Sequence, residues 1–303
     1  MPELRIKSLD AVLSIQSDDD RVIEYFRDDL MLRTHIPGYN IATETPEWHI
    51  HHTSNEKGEF SSSEELREMN IEGIFQKHTS EHDFTFLSLT ALSRIHEEKN
   101  RITLHSSAVS DGANTHIFVG GRGGGKSILA TELIYKRGMM LVSGENTVLA
   151  ATQALSGTAI LSNRIPCIAQ RYPELLDKSK GIYQEDYGTK CYLPESLLIK
   201  KALLPQRIAG IYFINVNDNW SNMQKAPIPL HAAIYELLLN SSSYITGAGH
   251  TIMKFSQPHP DLETKQLRQR RVSLLHSLIE NVKIEEIRGS VNQIANYICG
   301  EEQ

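Results

Sequence analysis

Hydrophobic and polar positions follow different periods along the chain, and the clearest change surrounds a glycine-rich run. Residues 115–119, THIFV, are mostly apolar and mostly β-branched, which is typical of a short buried strand. Residues 128–137 then place Leu129 and Leu133 on one helical face, and Gly138 follows where a left-handed C-terminal cap is common. The pattern predicts a strand, a glycine-rich connection and an amphipathic helix, in that order.

The same periodicities predict elements on both sides of this unit, and together they indicate an α/β chain with a mixed sheet flanked by helices. We expect an N-terminal α+β region over residues 1–98 and a nucleotide-binding core over residues 99–303. The further predictions are a capped helix after residues 18–20, short strands in 37–59, an exposed loop over 55–65, a helix at 84–98, a loop-rich stretch at 172–189, a buried strand at 208–216, helices at 229–239 and 262–280, and a final strand and capped helix over 282–299.

Composition narrows the class of protein. The chain has 303 residues, of which 40% are hydrophobic and 22% charged, as in globular proteins. A formal net charge of −6 argues against general nucleic-acid binding, which depends on neutralising phosphates. The three cysteines are far apart and form no C-x-x-C motif, so no disulfide framework or cysteine-rich zinc site is indicated. With no apolar signal core and no stretch long enough to span a membrane, we expect a cytoplasmic protein without a membrane partner.

The glycine-rich run itself, GGRGGGKS, fits the G-x-x-x-x-G-K-[ST] pattern of loops that wrap nucleotide phosphates. Glycines let the backbone turn its N–H groups inward, and the following helix adds a partial positive charge, so main chain can hold a polyphosphate. A glycine-rich turn without a ligand is the alternative. Arg122 either steadies the phosphates or faces solvent. The predicted nucleotide-binding residues are Gly120, Gly121, Arg122, Gly123, Gly124, Gly125, Lys126, Ser127 and Ile128, with Lys126 on the β/γ-phosphates and Ser127 on Mg²⁺.

Two other charged or metal-binding patterns have plainer alternatives. His49 and His51 lie on one face of a predicted strand, as metal ligands could, but solvated strand histidines fit as well because a closed metal site needs three or four ligands. The predicted helix at 262–280 carries Lys265, Arg268, Arg270 and Arg271, which form either a surface for an acidic partner or a solvated face.

The order of motifs over residues 104–143 resembles the HPr kinase/phosphorylase-like family. LHSSAV is followed by a turn at Asp111-Gly112, the phosphate loop, KRG and LVS. The later strings YGTK and YLP and the strand around Tyr212 are also similar. The resemblance implies the P-loop fold shared with phosphoenolpyruvate carboxykinase, and a kinase acting on serine that is free or within a peptide or protein. It also matches His105 to the histidine on the strand before the family's phosphate loop.

Two positions depart from the family's pattern. Members carry paired aspartates after the second core strand, one resembling a general base and the other a magnesium ligand, whereas this chain has Gly144 and Glu145. The bifunctional members also have a glutamate after the Lys-Ser pair, where this chain has Ile128. The resemblance therefore implies a simple kinase without phosphorylase activity, or a protein that has lost catalysis.

The candidate catalytic residues are accordingly His105, Glu145 and Lys126, with Ser127 and Glu145 as Mg²⁺ ligands. His105 is either the base for the acceptor hydroxyl or a core histidine, and Glu145 is either a magnesium ligand or a surface turn residue. Lys190 reaches the nucleotide or acceptor, or is an exposed loop lysine.

We expect an ATP- and Mg²⁺-dependent kinase with a small-molecule or peptide hydroxyl acceptor, and by the same resemblance a homo-oligomer. A nucleotide-binding regulatory protein without turnover is the alternative. Residues 172–190 are the candidate lid or acceptor loop, because they are polar and long.

Overall fold

The computed structural model of the protein describes residues 1–27, 30–185, 188–193, 200–248 and 251–301, without the side chains of 180–185 and 188. Over these residues the chain is a mixed α/β protein with several sheets and helices. It divides into two compact units, the first formed by Met1–Thr103 with Leu237–Leu274 and the second by Leu104–Glu236 with Leu275–Gln303. The predicted boundary between residues 98 and 99 places Leu237–Leu274 in the second domain. The structure instead places this segment in the first unit.

The strands are β1 Glu3–Ser8, β2 Ala11–Ser17, β3 Tyr39–Ile41, β4 Trp48–Thr53, β5 Glu59–Ser63, β6 Glu68–Glu72, β7 Ile102–His105, β8 Ser107–Ser110, β9 Asn114–Val119, β10 Met140–Ser143, β11 Asn146–Ala150, β12 Gln153–Gly157, β13 Leu161–Arg164, β14 Lys180–Glu185, β15 Gly188–Leu193, β16 Gln206–Val216, β17 Gln224–Pro227, β18 Thr251–Ile252, β19 Gln257–Pro258 and β20 Lys283–Gly289. The helices are α1 Asp20–Tyr25, α2 Leu30–His35, α3 Thr79–Glu98, α4 Lys126–Tyr135, α5 Ile165–Arg171, α6 Pro173–Leu176, α7 Leu230–Ser242, α8 Lys265–Asn281 and α9 Val291–Ile298.

The first unit is built on a six-stranded sheet in the order β3-β1-β2-β4-β6-β5. The central strands β2, β4 and β6 are parallel, and the outer pairings are antiparallel. Trp48, Ile50 and His52 of β4 are buried while the residues between them are half-buried, because successive strand side chains point to opposite faces. The buried side chains pack with Phe84 and Leu87 of α3 in one hydrophobic core.

A buried ion cluster ties the returning segment to α3 within the first unit. The Arg271 side chain is fully buried and forms a two-point contact with Glu97, whose side chain is 1% exposed. Arg271 Nη1 also donates to Glu263 Oε1 at 2.8 Å. Neither sequence interpretation of the basic helix holds for Arg271, because this guanidinium is an internal structural group and faces neither solvent nor a partner.

The second unit contains a nine-stranded sheet whose central path is β10-β8-β9-β16-β12-β11-β7. The long strand β16 pairs in parallel with β9 on one edge and with β20 on the other. A smaller sheet has the order β13-β15-β14. Helices α4 and α9 contribute Leu129, Leu133 and Ile294 to the buried core of this unit.

The strongest local patterns were predicted correctly. The strand and helix around the glycine-rich run are β9 and α4, the buried strand at 208–216 is β16, and the final capped helix is α9. In α9 the Ser290 hydroxyl accepts from the Gln293 backbone N–H, and the Gln293 side chain accepts from the Ser290 N–H, as a capping box requires.

Two predicted loops were wrong. Residues 59–63 of the predicted loop form β5, which pairs with β6 at the end of the sheet order and contains only exposed and half-buried residues. The predicted loop-rich stretch at 172–189 contains α6 and β14, and the candidate lid over 172–190 is in large part a hairpin of β14 and β15. These two polar strands are stabilised by pairing with each other, and the composition of either strand alone does not reveal that pairing.

Candidate functional site

The glycine-rich loop lies at the carboxyl end of a group of parallel strands. It leaves β9 at Val119 and enters α4 at Lys126, and β9, β16 and β20 run parallel, so their carboxyl ends share one edge of the sheet. In open α/β sheets this edge is where ligands bind. The first turn of α4 therefore presents its backbone N–H groups at the position expected of a phosphate site.

The loop is held against the end of β16 at two points. The Val216 N–H donates to the Gly124 carbonyl at 3.1 Å, and a Cβ on Gly125 would lie 2.4 Å from Val216 Cβ. Gly125 is also the N-cap residue of α4, with a left-handed φ of +90°. A side chain is therefore excluded here by backbone conformation and by lack of space.

Lys126 lies inside the curve of the loop. Its ammonium donates to the Gly120 carbonyl at 2.8 Å and to the Gly121 carbonyl at 3.4 Å. Burial lowers the pKa of Lys126, the Glu145 charge opposes this shift, and the charges of Lys190 and Arg122 add to it. The charge of Lys126 thus interacts with the charges of Glu145, Lys190 and Arg122, three other residues of the predicted site.

The remaining loop residues occupy different environments. Gly121, Arg122 and Gly123 are exposed, whereas Ser127 and Ile128 are half-buried in the first turn of α4. The Ile128 side chain packs against the core of the second unit. The side chain of Ile128 is accordingly turned toward the core, which leaves only its backbone for a ligand at the loop.

His105 and Glu145 lie side by side. His105 ends β7, and Glu145 forms the turn between β10 and β11. His105 Nδ1 is 3.7 Å from Glu145 Oε1, which is longer than a hydrogen bond but close enough for a charge interaction. Burial lowers the pKa of His105, while the neighbouring Glu145 charge acts in the opposite direction. The lowered pKa favours the neutral imidazole, the form in which it can accept a proton.

Two residues beside this pair were missed by the sequence reasoning. Asn146 is fully buried and makes a side-chain hydrogen bond with His105. Thr158, also fully buried, accepts hydrogen bonds from the backbone of the turn that carries Glu145. Asn146 could have been considered because it follows Glu145 directly. Thr158 has no comparable signal, because its role depends on a contact with a distant part of the sequence.

The backbone around Gly144 explains one departure from the resembled family. A Cβ on Gly144 would lie 1.9 Å from the Ile160 carbonyl oxygen and 3.0 Å from Leu161 Cα. These are backbone atoms, which cannot move aside as a flexible side chain can. An aspartate at position 144 does not fit this backbone, so Glu145 is the carboxylate that the turn can present.

Lys190 lies on β15, opposite Arg164 of β13, and is half-buried. It is therefore a strand residue, and the exposed-loop alternative is wrong. Its charge acts on both Lys126 and His105. Of the neighbouring motif residues, Tyr187 and Pro194 lie outside the described residues.

The histidine pattern of the first unit has a structural explanation. The rings of His49 and His51 stack with centroids 5.9 Å apart, and His52 is buried between the Ser17 hydroxyl and the Gly73 carbonyl. Among the residues that the structure describes, no three His, Cys, Asp or Glu side chains form a group that could hold a metal ion.

That finding is compatible with Mg²⁺ at the phosphate loop. Mg²⁺ is commonly bound through one or two carboxylates together with substrate phosphates, so a hydroxyl and a single carboxylate, Ser127 and Glu145, fit as its protein ligands.

Comparison of the sequence with protein-family models and with curated proteins gives no match. Across the described part of the chain, none of the helices has the length and apolar character that crossing a membrane requires.

Proposed function

We propose that this chain is an ATP- and Mg²⁺-dependent kinase with a fold like that of phosphoenolpyruvate carboxykinase and the HPr kinase family. The acceptor is a hydroxyl, as in serine, a serine-like metabolite, or a serine of a peptide or protein. The observation that carries the proposal is the arrangement of Lys126, within a glycine loop at a helix N-terminus, together with the adjacent pair His105 and Glu145.

The loop residues supply binding and charge stabilisation. Backbone N–H groups of the loop and of the first turn of α4 hold the phosphate oxygens. The Lys126 ammonium exchanges its contacts with the Gly120 and Gly121 carbonyls for the β- and γ-phosphates. Phosphoryl transfer depends mainly on such positioning and electrostatic stabilisation, so these groups contribute most of the rate enhancement.

Ser127 and Glu145 would hold Mg²⁺ in this scheme. When bound, the ion neutralises charge on the β- and γ-phosphate oxygens. Glu145 also lies beside His105 and interacts through its charge with Lys126, so the ammonium of Lys126 offsets the negative charge of Glu145 within the site.

His105 is the base. Its neutral imidazole takes the proton of the acceptor hydroxyl as that oxygen bonds to the γ-phosphorus and the bond to the β–γ bridging oxygen breaks, releasing ADP. Glu145 stabilises the imidazolium that results, because an opposite charge lies 3.7 Å from Nδ1. Asn146 fixes the ring orientation through its hydrogen bond. A base of this kind contributes about 10²–10⁴-fold to the rate.

A second candidate function is nucleotide-dependent regulation without turnover. The crowded position at Gly144 favours it, because the site lacks the second carboxylate that the resembled kinases carry. Both functions require nucleotide binding, but only the kinase transfers phosphate to an acceptor.

Labelled ATP incubated with a panel of serine-like metabolites and peptides, with and without Mg²⁺, distinguishes them. We expect labelled product and ADP from the wild type, and loss of transfer in Lys126→Ala and Glu145→Gln. Wild-type protein that binds ATP but labels no hydroxyl acceptor supports the regulatory function. Release of AMP and pyrophosphate indicates nucleotidyl transfer and contradicts the kinase proposal. If calorimetric titration shows binding of neither ATP nor GTP, both functions are excluded.

A further inference from the structure

The turn that carries Glu145 closes around a single side-chain oxygen. Thr158 Oγ1 accepts from three consecutive backbone N–H groups, those of Gly144 at 3.1 Å, Glu145 at 2.8 Å and Asn146 at 3.4 Å. Thr158 is fully buried, so water cannot replace this acceptor. This hydroxyl therefore joins the backbone on both sides of Glu145. It acts together with two backbone hydrogen bonds, from Thr158 N–H to the Asn146 carbonyl at 3.1 Å and from Gly144 N–H to the Thr158 carbonyl at 3.3 Å.

The hydroxyl is itself held in place. Ser143 Oγ lies 3.1 Å from Thr158 Oγ1 and accepts from the Thr158 N–H at 3.1 Å. Ser143 Oγ also donates to the Asn146 carbonyl, at the other end of the turn. Ser143 and Thr158 thus form a buried pair that spans the turn.

The opposite side of the turn is tied to the segment that follows His105. The Ser106 N–H donates to the Glu145 carbonyl at 2.8 Å, and the Ser107 hydroxyl donates to the Gly144 carbonyl at 2.8 Å. The backbones of His105 and Glu145 are therefore linked through one intervening residue. A shift of the turn away from Thr158 changes the separation of the two side chains.

We propose that Thr158 is a positioning residue that fixes the Glu145 carboxylate for Mg²⁺ and for His105. This inference rests on the proposed function of the same site. Hydrogen-bonding partners that orient metal ligands typically contribute 10–100-fold to metal affinity or activity when they are removed. Thr158→Val keeps the shape of the side chain and removes the acceptor of three N–H groups, so we expect an effect in that range.

The test compares three variants by calorimetric titration of Mn²⁺, as a probe for Mg²⁺, in the presence of a non-hydrolysable ATP analogue. Thr158→Val is expected to weaken Mn²⁺ binding by about 10–100-fold. Thr158→Ser, which keeps the hydroxyl, is expected to stay within about threefold of the wild type. Thr103→Val is the matched control, because Thr103 is a buried strand threonine whose hydroxyl has no hydrogen-bond partner among the residues that the structure describes. Binding of the analogue in EDTA reports the phosphate loop alone and is expected to be unchanged in Thr158→Val.

The proposal is overturned if Thr158→Val binds Mn²⁺ as tightly as the wild type. It is also overturned if Thr158→Ser or Thr103→Val loses as much Mn²⁺ affinity as Thr158→Val does. If Thr158→Val does not fold by circular dichroism, Ser143→Ala decides, because it removes the partner of the Thr158 hydroxyl. Weaker Mn²⁺ binding then supports the buried pair of Ser143 and Thr158 as the group that positions Glu145, and unchanged binding contradicts it. Because the readout is binding, a wild type that binds Mn²⁺ and nucleotide without transferring phosphate refutes the kinase function while still testing Thr158.

Discussion

Restoring the aspartate of the resembled family at position 144 should damage this protein. Resemblance alone predicts that Gly144→Asp adds a carboxylate and raises activity. The structure predicts the reverse, since the new Cβ would lie 1.9 Å from the Ile160 carbonyl oxygen and 2.8 Å from its carbon. The connection between β12 and β13 would have to retreat by more than about 1 Å to restore ordinary contact distances.

The size of the stability loss depends on which atoms must move to admit the new side chain. Overpacking of a well-packed interior typically costs about 1–3 kcal/mol, and occasionally more. Here the obstructing atoms are backbone, and the same segment includes Thr158, which caps the Glu145 turn. We therefore expect a loss of about 3 kcal/mol in the free energy of unfolding, which corresponds to a fall in Tm of about 6 °C or more for a unit of this size.

Thermal and urea unfolding of the wild type, Gly144→Asp and Gly144→Ala measure this loss. Gly144→Ala separates the effect of the Cβ from that of the carboxylate and is expected to account for most of it. Gly121→Ala is the stability control, because a Cβ there has no atom within 4 Å. A Gly144→Asp protein with wild-type Tm, or with higher kinase activity, would refute the steric argument.

Three further predictions concern the nucleotide, the base and the first unit. Lys126→Ala should lower kcat/KM by about 10²–10³-fold while leaving Tm unchanged within about 2 °C, and a smaller loss would exclude Lys126 from transition-state stabilisation. Burial lowers the pKa of His105 below its usual 6.5, so the base stays neutral as the pH falls through 6.5 and kcat should decline only at lower pH. His105→Gln should abolish this decline of kcat on the acid side of the pH profile. An unchanged profile would exclude His105 as the base. Glu97→Gln should cost about 1–3 kcal/mol of unfolding free energy in urea, because it removes the two-point carboxylate partner of the buried Arg271 and leaves Glu263 as the remaining carboxylate, whereas the double change Glu97→Leu with Arg271→Met should cost less. Equal losses in the single and double variants would show that packing, and not charge, holds the returning segment.

Some elements were accessible from sequence because their causes are local. The strand, glycine loop and helix around Lys126 are defined by hydrophobic periodicity and by residues adjacent in the chain. The capping box of α9 likewise involves only Ser290 and Gln293, three positions apart. Side-chain type and spacing are sufficient in such cases, because the interacting groups are neighbours in any fold that forms the element.

Other features required knowledge of which distant segments meet. From the sequence, Arg271 is one of several charges on a helix that could be solvated. The structure shows that Glu97 of α3 contacts it in the protein interior. From the sequence, Gly144 stands where the resembled family has a catalytic aspartate. The structure shows that the backbone at Ile160 occupies the space that a side chain at position 144 would need.

Sequence by itself therefore determined the glycine-rich loop between β9 and α4 and indicated the candidate residues around it. Only the tertiary structure decided their relations: that His105 and Glu145 are neighbours, that the charge of Lys126 interacts with those of Glu145 and Lys190, and that Thr158 contacts the turn that carries Glu145. The physical reason is that periodicity reports which face of an element is buried, whereas contacts between segments remote in sequence depend on how the buried faces are packed together.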